Sequence, residues 1–287
     1  MRLTLDTVRL GRISDWAEAN VAAGRFAGMS VLIRQGGREV HYSQAGLRDL
    51  ESGAPFERDT VARIYSMTKP ITSLILMMLV EEGRLHLDAP LSRFLREFAG
   101  LRALVPGAQR LDETEPCPMP TLHQLLTHRA GFSYPFNPGL LAEAMAERDL
   151  LFKPNSGTLE TQCAALATLP LAFQPGARWE YSVGIDVIGR VIELVEGAPL
   201  DKVFRARVLD PLGMDETSFA VPDALLDRFA TLYTRLPGNP LDLQSALPDG
   251  ADLRLYDDAQ GSPFLHTTCF SGGVGLVGTI DDYMTFS

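Results

Sequence analysis

A serine hydroxyl is a weak nucleophile until a neighbouring base takes its proton. The run Ile64-Tyr65-Ser66-Met67-Thr68-Lys69-Pro70 supplies such a pair, because Ser66 and Lys69 stand three residues apart and share one face of a helix. Lys69 is one of three lysines in 287 residues, against twenty-three arginines, so each lysine invites a chemical question. It precedes an almost wholly apolar helix, where partial desolvation favours the neutral, basic amine. At the helix N-terminus the macrodipole and free N–H groups favour developing negative charge, and the Ser66 backbone N–H is placed to serve as half of an oxyanion hole. The tetrad alone does not decide the matter. By composition S-x-x-K arises by chance in roughly one such chain in six, and a surface lysine beside a capping serine has the same spacing.

The elements that must position this pair are legible around it. Residues Thr7 to Gly24 have helical spacing, with Leu10, Ile13, Ala17 and Val21 on the apolar side. Ser30 to Arg34 and Glu39 to Ser43 are short β-rich runs about Gly36-Gly37, a dipeptide that supplies the positive φ a tight hairpin needs. Ile71 to Val80 is apolar on nearly every side and predicts a buried helix. Pro70 is tolerated in its first turn, where no intrahelical partner is lost, so Ser66 falls at or just before the N-terminus. From Leu85 to about Leu226 the pattern is mostly helical: Pro120 to His128, Pro138 to Ala146, Thr158 to Leu169, Ile185 to Glu196 and Leu200 to Val208. Beyond Phe229 come short runs broken by Pro237-Gly238-Asn239-Pro240 and Pro248-Asp249-Gly250, then Gly272 to Val277 and a helical start at Asp281.

Ile64 to Thr72 resembles the first motif of family VIII carboxylesterases, the esterases built on the class C β-lactamase fold. Ser30 to Gly46 is similar to that family's first hairpin, and Gly83-Arg84-Leu85-His86-Leu87-Asp88-Ala89-Pro90-Leu91 to its segment after the nucleophile helix. Leu125-Leu126-Thr127-His128-Arg129-Ala130-Gly131-Phe132 resembles a segment common across the superfamily. Phe173-Gln174-Pro175-Gly176-Ala177-Arg178-Trp179-Glu180-Tyr181-Ser182-Val183 looks like the second catalytic motif, and Pro211-Leu212-Gly213-Met214 with Thr217 and Phe219 like the stretch after it. The segments occur in order over most of the chain.

The resemblance implies an α+β, β-lactamase-like fold: an antiparallel sheet flanked by helices, an all-helical lobe, and the active site in the cleft between them. It divides the chain into an α/β domain, residues 1–84 and 230–287, and a mostly helical domain, residues 85–229. It makes Tyr181 a second proton handler beside Ser66 and Lys69. A phenol ordinarily loses its proton near pH ~10, but an adjacent ammonium favours phenolate, so the two would titrate as a coupled pair. Which of them takes the Ser66 proton stays open. Class C β-lactamases carry Tyr-x-Asn here, with the Asn amide on the β-lactam side chain; Val183 in the third place points to esters. The family's third motif, a strand with Lys-Thr-Gly, His-x-Gly or Trp-Gly-Gly that supplies the other oxyanion N–H, would follow well after Gly272-Gly273. The expectation is therefore a partial sequence lacking its C-terminal strands.

The implied activity is acyl transfer from a short-chain or compact carboxylic ester through an acyl-enzyme on Ser66, without metal or organic cofactor. A class C-like β-lactamase or D,D-peptidase, and an inactive binding protein on the same fold, are the alternatives. Tyr134 and Phe136 are candidate pocket residues with Val183, and Asp186, near the start of a helix, is a candidate to orient the site's hydrogen bonds or simply to favour the helix dipole. Core packing is the competing reading for the aromatic pair.

Composition narrows the partners. A net charge of -10 and the lack of any basic run argue against nucleic acid. Cys117, Cys163 and Cys269 are odd in number and far apart, which suggests neither a disulfide framework nor a zinc site and fits a reducing compartment. The first 29 residues carry Asp6, Asp15 and Glu18, which argues against a secretory leader, and the apolar stretch from Pro70 to Val80 is too short to span a bilayer. A cytoplasmic location is expected. Gly273 to Gly278 fits G-x-G-x-x-G, yet only nine residues follow it, too few for a βαβ unit. His123 and His128, five apart, diverge on a helix, so His128 is expected to be a structural hydrogen-bonder at a helix end.

Overall fold

The computed structural model describes residues 5–236 and 252–287, so the turn signals at residues 237–240 and 248–250 lie outside the described residues. Helix α1 (Thr7–Ala22) starts where the Asp6 side chain accepts from the N–H of Val8 at 2.9 Å and of Arg9 at 3.3 Å. Strands β1 (Gly28–Gln35) and β2 (Arg38–Gly46) form the expected antiparallel hairpin, closed by Gly36 and Gly37 at φ 58° and 77°. β3 (Ala62–Arg63) then leads through a single 3₁₀ turn, Tyr65–Met67, into α2 (Thr68–Glu81).

α2 is the centre of the molecule. Ile71, Ile75, Leu76 and Leu79 are inaccessible to solvent, and the helix packs along α6 (Gly184–Glu196). Between them in sequence lie β4 (Arg102–Leu104), β5 (Thr114–Pro116), α3 (Leu122–Leu126), α4 (Leu140–Glu147) and α5 (Leu159–Leu166). The β4–β5 hairpin is a departure from the helical reading of this region. It turns at Pro106-Gly107, and its edge is pinned because Leu171 N–H bonds Arg102 carbonyl at 2.8 Å and Leu104 N–H bonds Leu171 carbonyl at 2.9 Å. After α6, α7 (Leu200–Phe204) runs through a π turn at Arg205–Leu209 into the short α8 (Asp210–Leu212). β6 (Leu232–Thr234) pairs with β7 (Arg254–Asp257), β8 (Val277–Gly278) pairs antiparallel with β3, and α9 (Ile280–Phe286) closes the described chain.

Among the described residues the strands form four two-stranded antiparallel ladders, so the expected sheet is present in pieces. The main hydrophobic core nevertheless crosses the expected domain boundary without a break, running from Ile71 on α2 through Phe98, Phe132, Phe152 and Phe204 to Leu276. Among the described residues, no helix is long and apolar enough to cross a membrane.

Candidate active site

Ser66 lies in the 3₁₀ turn and Lys69 in the first turn of α2. Residues i and i+3 eclipse in 3₁₀ geometry, which brings Lys69 Nζ to 3.1 Å from Ser66 Oγ. The residue before Ser66 is strained: Tyr65 has φ 42°, a left-handed conformation that a bulky side chain adopts only when its surroundings impose it. The imposition comes from both sides. The Tyr65 ring packs edge-on to Phe264 at 6.2 Å, and the preceding Arg63 is buried with Nε 2.6 Å from Asp257 Oδ2. Burial pushes the Tyr65 phenol up to about 12, so it stays protonated at neutral pH.

The second tyrosine comes from the opposite side of the cleft. Tyr181 Oη donates to Ser66 Oγ at 2.7 Å, and Lys69 Nζ sits 4.8 Å from the Tyr181 ring centroid. Tyr181 is on a loop, and its backbone is held by the segment 128–137. Glu180 N–H donates to His128 carbonyl at 2.9 Å, Ser182 N–H to His128 Nδ1 at 3.2 Å and Val183 N–H to Ser133 carbonyl at 3.2 Å. Asn137 Nδ2 donates to the Tyr181 carbonyl at 2.8 Å and to Ser133 Oγ at 3.1 Å, while Ser133 Oγ donates to Glu180 Oε1 at 2.6 Å. Because the Ser182 amide can only donate, His128 Nδ1 must accept. Burial, helped by the Lys69 charge, pushes this imidazole down to about 4 and keeps it neutral for that role. His128 is thus the structural hydrogen-bonder that its place at the end of α3 suggested.

The third wall is the loop Ser271 to Leu276. The polar positions of the first α2 turns grip it: Thr68 Oγ1 accepts from Leu276 N–H at 3.1 Å, Thr72 Oγ1 donates to Gly272 carbonyl at 2.6 Å, and Lys69 Nζ donates to Gly273 carbonyl at 2.9 Å. The glycines are required by this close approach. A Cβ on Gly272 would lie 2.9 Å from the Ile185 carbonyl oxygen, and one on Gly273 would lie 2.3 Å from Asp186 Oδ2.

The residues expected to line a substrate pocket are largely beneath the site. Val183 is fully buried and caps α6, so the contact with substrate expected of its side chain is corrected to core packing. Tyr134 is buried as well, stacked on Phe136 with centroids 4.9 Å apart and bonded to Asp186 Oδ2 at 3.3 Å. Phe136 is half-buried and packs against the core. Asp186 is inaccessible to solvent and accepts from Gly273 N–H at 3.0 Å and from Ser271 Oγ, so it touches the site's framework and no substrate. A concavity of about 300 Å³ lies behind the Tyr181 segment, lined in part by Ser133, Pro138, Gln174 and Glu180, and does not reach Ser66.

Sequence reading missed Asn137, Ser133, Ser271 and Gly273 as site residues. They belong to no catalytic spacing and join the Tyr181 segment, Asp186 and Lys69 only through tertiary contacts.

This geometry has close relatives. The chain is 37% identical over 266 residues to protein Rv1367c of Mycobacterium tuberculosis, covering 92% of this chain and 62% of that protein. It is 33% identical over 271 residues to Esterase EstB of Burkholderia gladioli, covering 91% of this chain and 64% of that one. It therefore spans a little under two thirds of the length of these curated relatives. Among solved structures it is similar to EstCE1, described as a hydrolase with promiscuous acyltransferase activity, at a TM-score of 0.74 and 32% identity, covering 97% of this chain and 71% of that chain. The β-lactamase-like fold expected from the motifs is the fold observed. With the Beta-lactamase family model matching residues 13–287 and the serine, lysine and tyrosine brought together around one oxygen, the chain belongs to the Beta-lactamase family.

Proposed function

We propose that this chain carries the acyl-enzyme chemistry of a carboxylesterase of the family VIII kind, acting on short-chain or compact esters. The observation that carries the reading is Ser66 Oγ held between Tyr181 Oη at 2.7 Å and Lys69 Nζ at 3.1 Å. While both partners are protonated, Ser66 accepts from each. Loss of a proton from either reverses that contact, so the Ser66 hydroxyl donates and its oxygen becomes nucleophilic. Oγ then attacks the ester carbonyl and its proton passes to the deprotonated partner. The tetrahedral oxyanion forms beside the Ser66 backbone N–H, near the positive end of α2. Collapse breaks the ester C–O bond and the alcohol leaves with the stored proton. Water, activated by the same pair, attacks the acyl-enzyme and releases the carboxylic acid.

Val183 supports esters over β-lactams only as a departure in sequence from the Tyr-x-Asn of class C β-lactamases, since its side chain is buried beneath the site. The 33% identity to Esterase EstB points the same way. The proposed partner is a small-molecule ester and no nucleic acid, and the proposed compartment is the cytoplasm, in keeping with three free thiols at Cys117, Cys163 and Cys269.

The test compares hydrolysis of chromogenic acetate and butyrate esters with that of a chromogenic cephalosporin. Faster ester turnover is expected. Faster cephalosporin turnover would overturn the ester reading in favour of a β-lactamase, and absence of both turnover and fluorophosphonate labelling at Ser66 would favour a binding protein.

A further inference from the structure

Asp186 has no access to water in the first turn of α6 and among the described residues forms no ion pair in direct contact; burial pushes its carboxyl up, and the Lys69 charge and the carboxyl's own hydrogen-bond donors oppose that shift. Such a group is costly to bury unless donors and an opposite charge compensate it. Three donors converge on it: Ser271 Oγ, Gly273 N–H at 3.0 Å and Tyr134 Oη at 3.3 Å. The same Gly273 presents its carbonyl to Lys69 Nζ at 2.9 Å, so one residue joins the buried carboxylate to the amine beside the nucleophile. The fit leaves no slack, since any Cβ on Gly273 would lie within 2.3–2.8 Å of all three carboxylate atoms.

We propose that Asp186 is a positioning residue that fixes Lys69 in place and in charge: ionised and held by Ser271, Gly273 and Tyr134, it sets the Gly273 carbonyl as the Lys69 acceptor and is the buried counter-charge of the Lys69 ammonium. Gly272-Gly273 is then required by the carboxylate beneath it. The titratable groups facing this pair are Tyr134 and Tyr181 from the loops, His128 from the end of α3, Cys163 from α5 and Cys269 from the loop before Ser271. None of them is a second cation at neutral pH, because His128 is held neutral by burial. A Lys69 held as ammonium leaves Tyr181, whose Oη bonds Ser66 Oγ, to take the Ser66 proton. That kinetic consequence rests on the ester-hydrolase reading above; the charge relation does not.

The scarcity of lysine makes the relation measurable. Lysine labelled with ¹³C at Cε gives three signals, from Lys69, Lys153 and Lys202, and the Lys69 signal is assigned by its loss in Lys69→Arg. Asp186→Asn keeps the shape and removes the charge. The Lys69 signal is expected to titrate at a pH lower by about one unit or more, while kcat for a chromogenic ester falls roughly tenfold or more with a smaller change in KM. Ser271→Ala, which removes one donor to the carboxylate, is expected to move the Lys69 titration in the same direction by less, and it decides the matter if Asp186→Asn does not fold. A Lys69 titration unmoved in the folded variants overturns the proposal. If wild-type protein turns over no ester, the function proposed above fails, and the Lys69 titration still decides the role of Asp186.

Discussion

Ser66, Lys69 and Tyr181 meet around one oxygen at this site; the first two were brought out by their spacing and Tyr181 by the family resemblance. Ser66→Ala is expected to abolish ester hydrolysis and fluorophosphonate labelling. Lys69→Ala and Tyr181→Phe are each expected to lower kcat by about 10²- to 10⁴-fold, measured on a chromogenic butyrate ester at saturating substrate. The supporting residues had no such signature. Asn137 is one amide in a loop until folding places its Nδ2 on the Tyr181 carbonyl. Asn137→Ala is expected to lower kcat roughly tenfold through misplacement of the phenol, and unchanged kcat would show that the remaining bonds to the 180–183 segment suffice. His128 yields a prediction in pH. Burial and the Lys69 charge lower its imidazole from the ordinary 6.5 of the unfolded chain to about 4 in the folded protein. Between those values the unfolded chain binds the extra proton, so this group makes stability fall as pH drops from 6.5 toward 4 and level off below, with no such loss above 6.5. Urea denaturation at several pH values should show the slope, reduced in His128→Asn.

At the scale of elements, the apolar run in α2 announced a buried helix, and Pro70 in its first turn announced where it begins. What the run concealed is the second use of its N-terminal polar residues. Thr68, Lys69 and Thr72 hold the Ser271 to Leu276 loop against the helix, so the helix that begins just after Ser66 also seats the wall facing it. Thr72→Val preserves shape and leaves the buried Gly272 carbonyl without its hydroxyl donor. A loss of about 1–3 kcal/mol of stability is expected, together with reduced turnover, since the same loop presents Gly273 to Lys69. The β4–β5 hairpin was read as helical territory because its strands are three residues each, too short to display a period of two. Its ladder is completed by Leu171, which lies 55 positions after Pro116 in the chain.

At the scale of the whole molecule, distant segments converge on the turn that holds Ser66. Arg63 Nε bonds Asp257 at 2.6 Å, its Nη2 bonds Ser262 Oγ at 3.0 Å, and its guanidinium lies 4.1 Å over the Phe229 ring. Removing one partner of a buried pair leaves the other uncompensated, so Arg63→Met is expected to cost about 3 kcal/mol and to lower activity by freeing Tyr65 from its strained φ; thermal denaturation and ester turnover measure the two effects. The sequence by itself determined the first hairpin, the buried helix and the pairing of Ser66 with Lys69, because local periodicity, turn chemistry and spacing are written within a few residues of one another, while the fold class and Tyr181 came from the family resemblance. Only the tertiary structure decided that Tyr134 and Val183 lie beneath the site, that Asn137 steadies Tyr181, and that Gly273 joins Asp186 to Lys69. Those roles depend on burial and on contacts between residues 44 to 204 positions apart, and neither is encoded in the neighbourhood of any one residue.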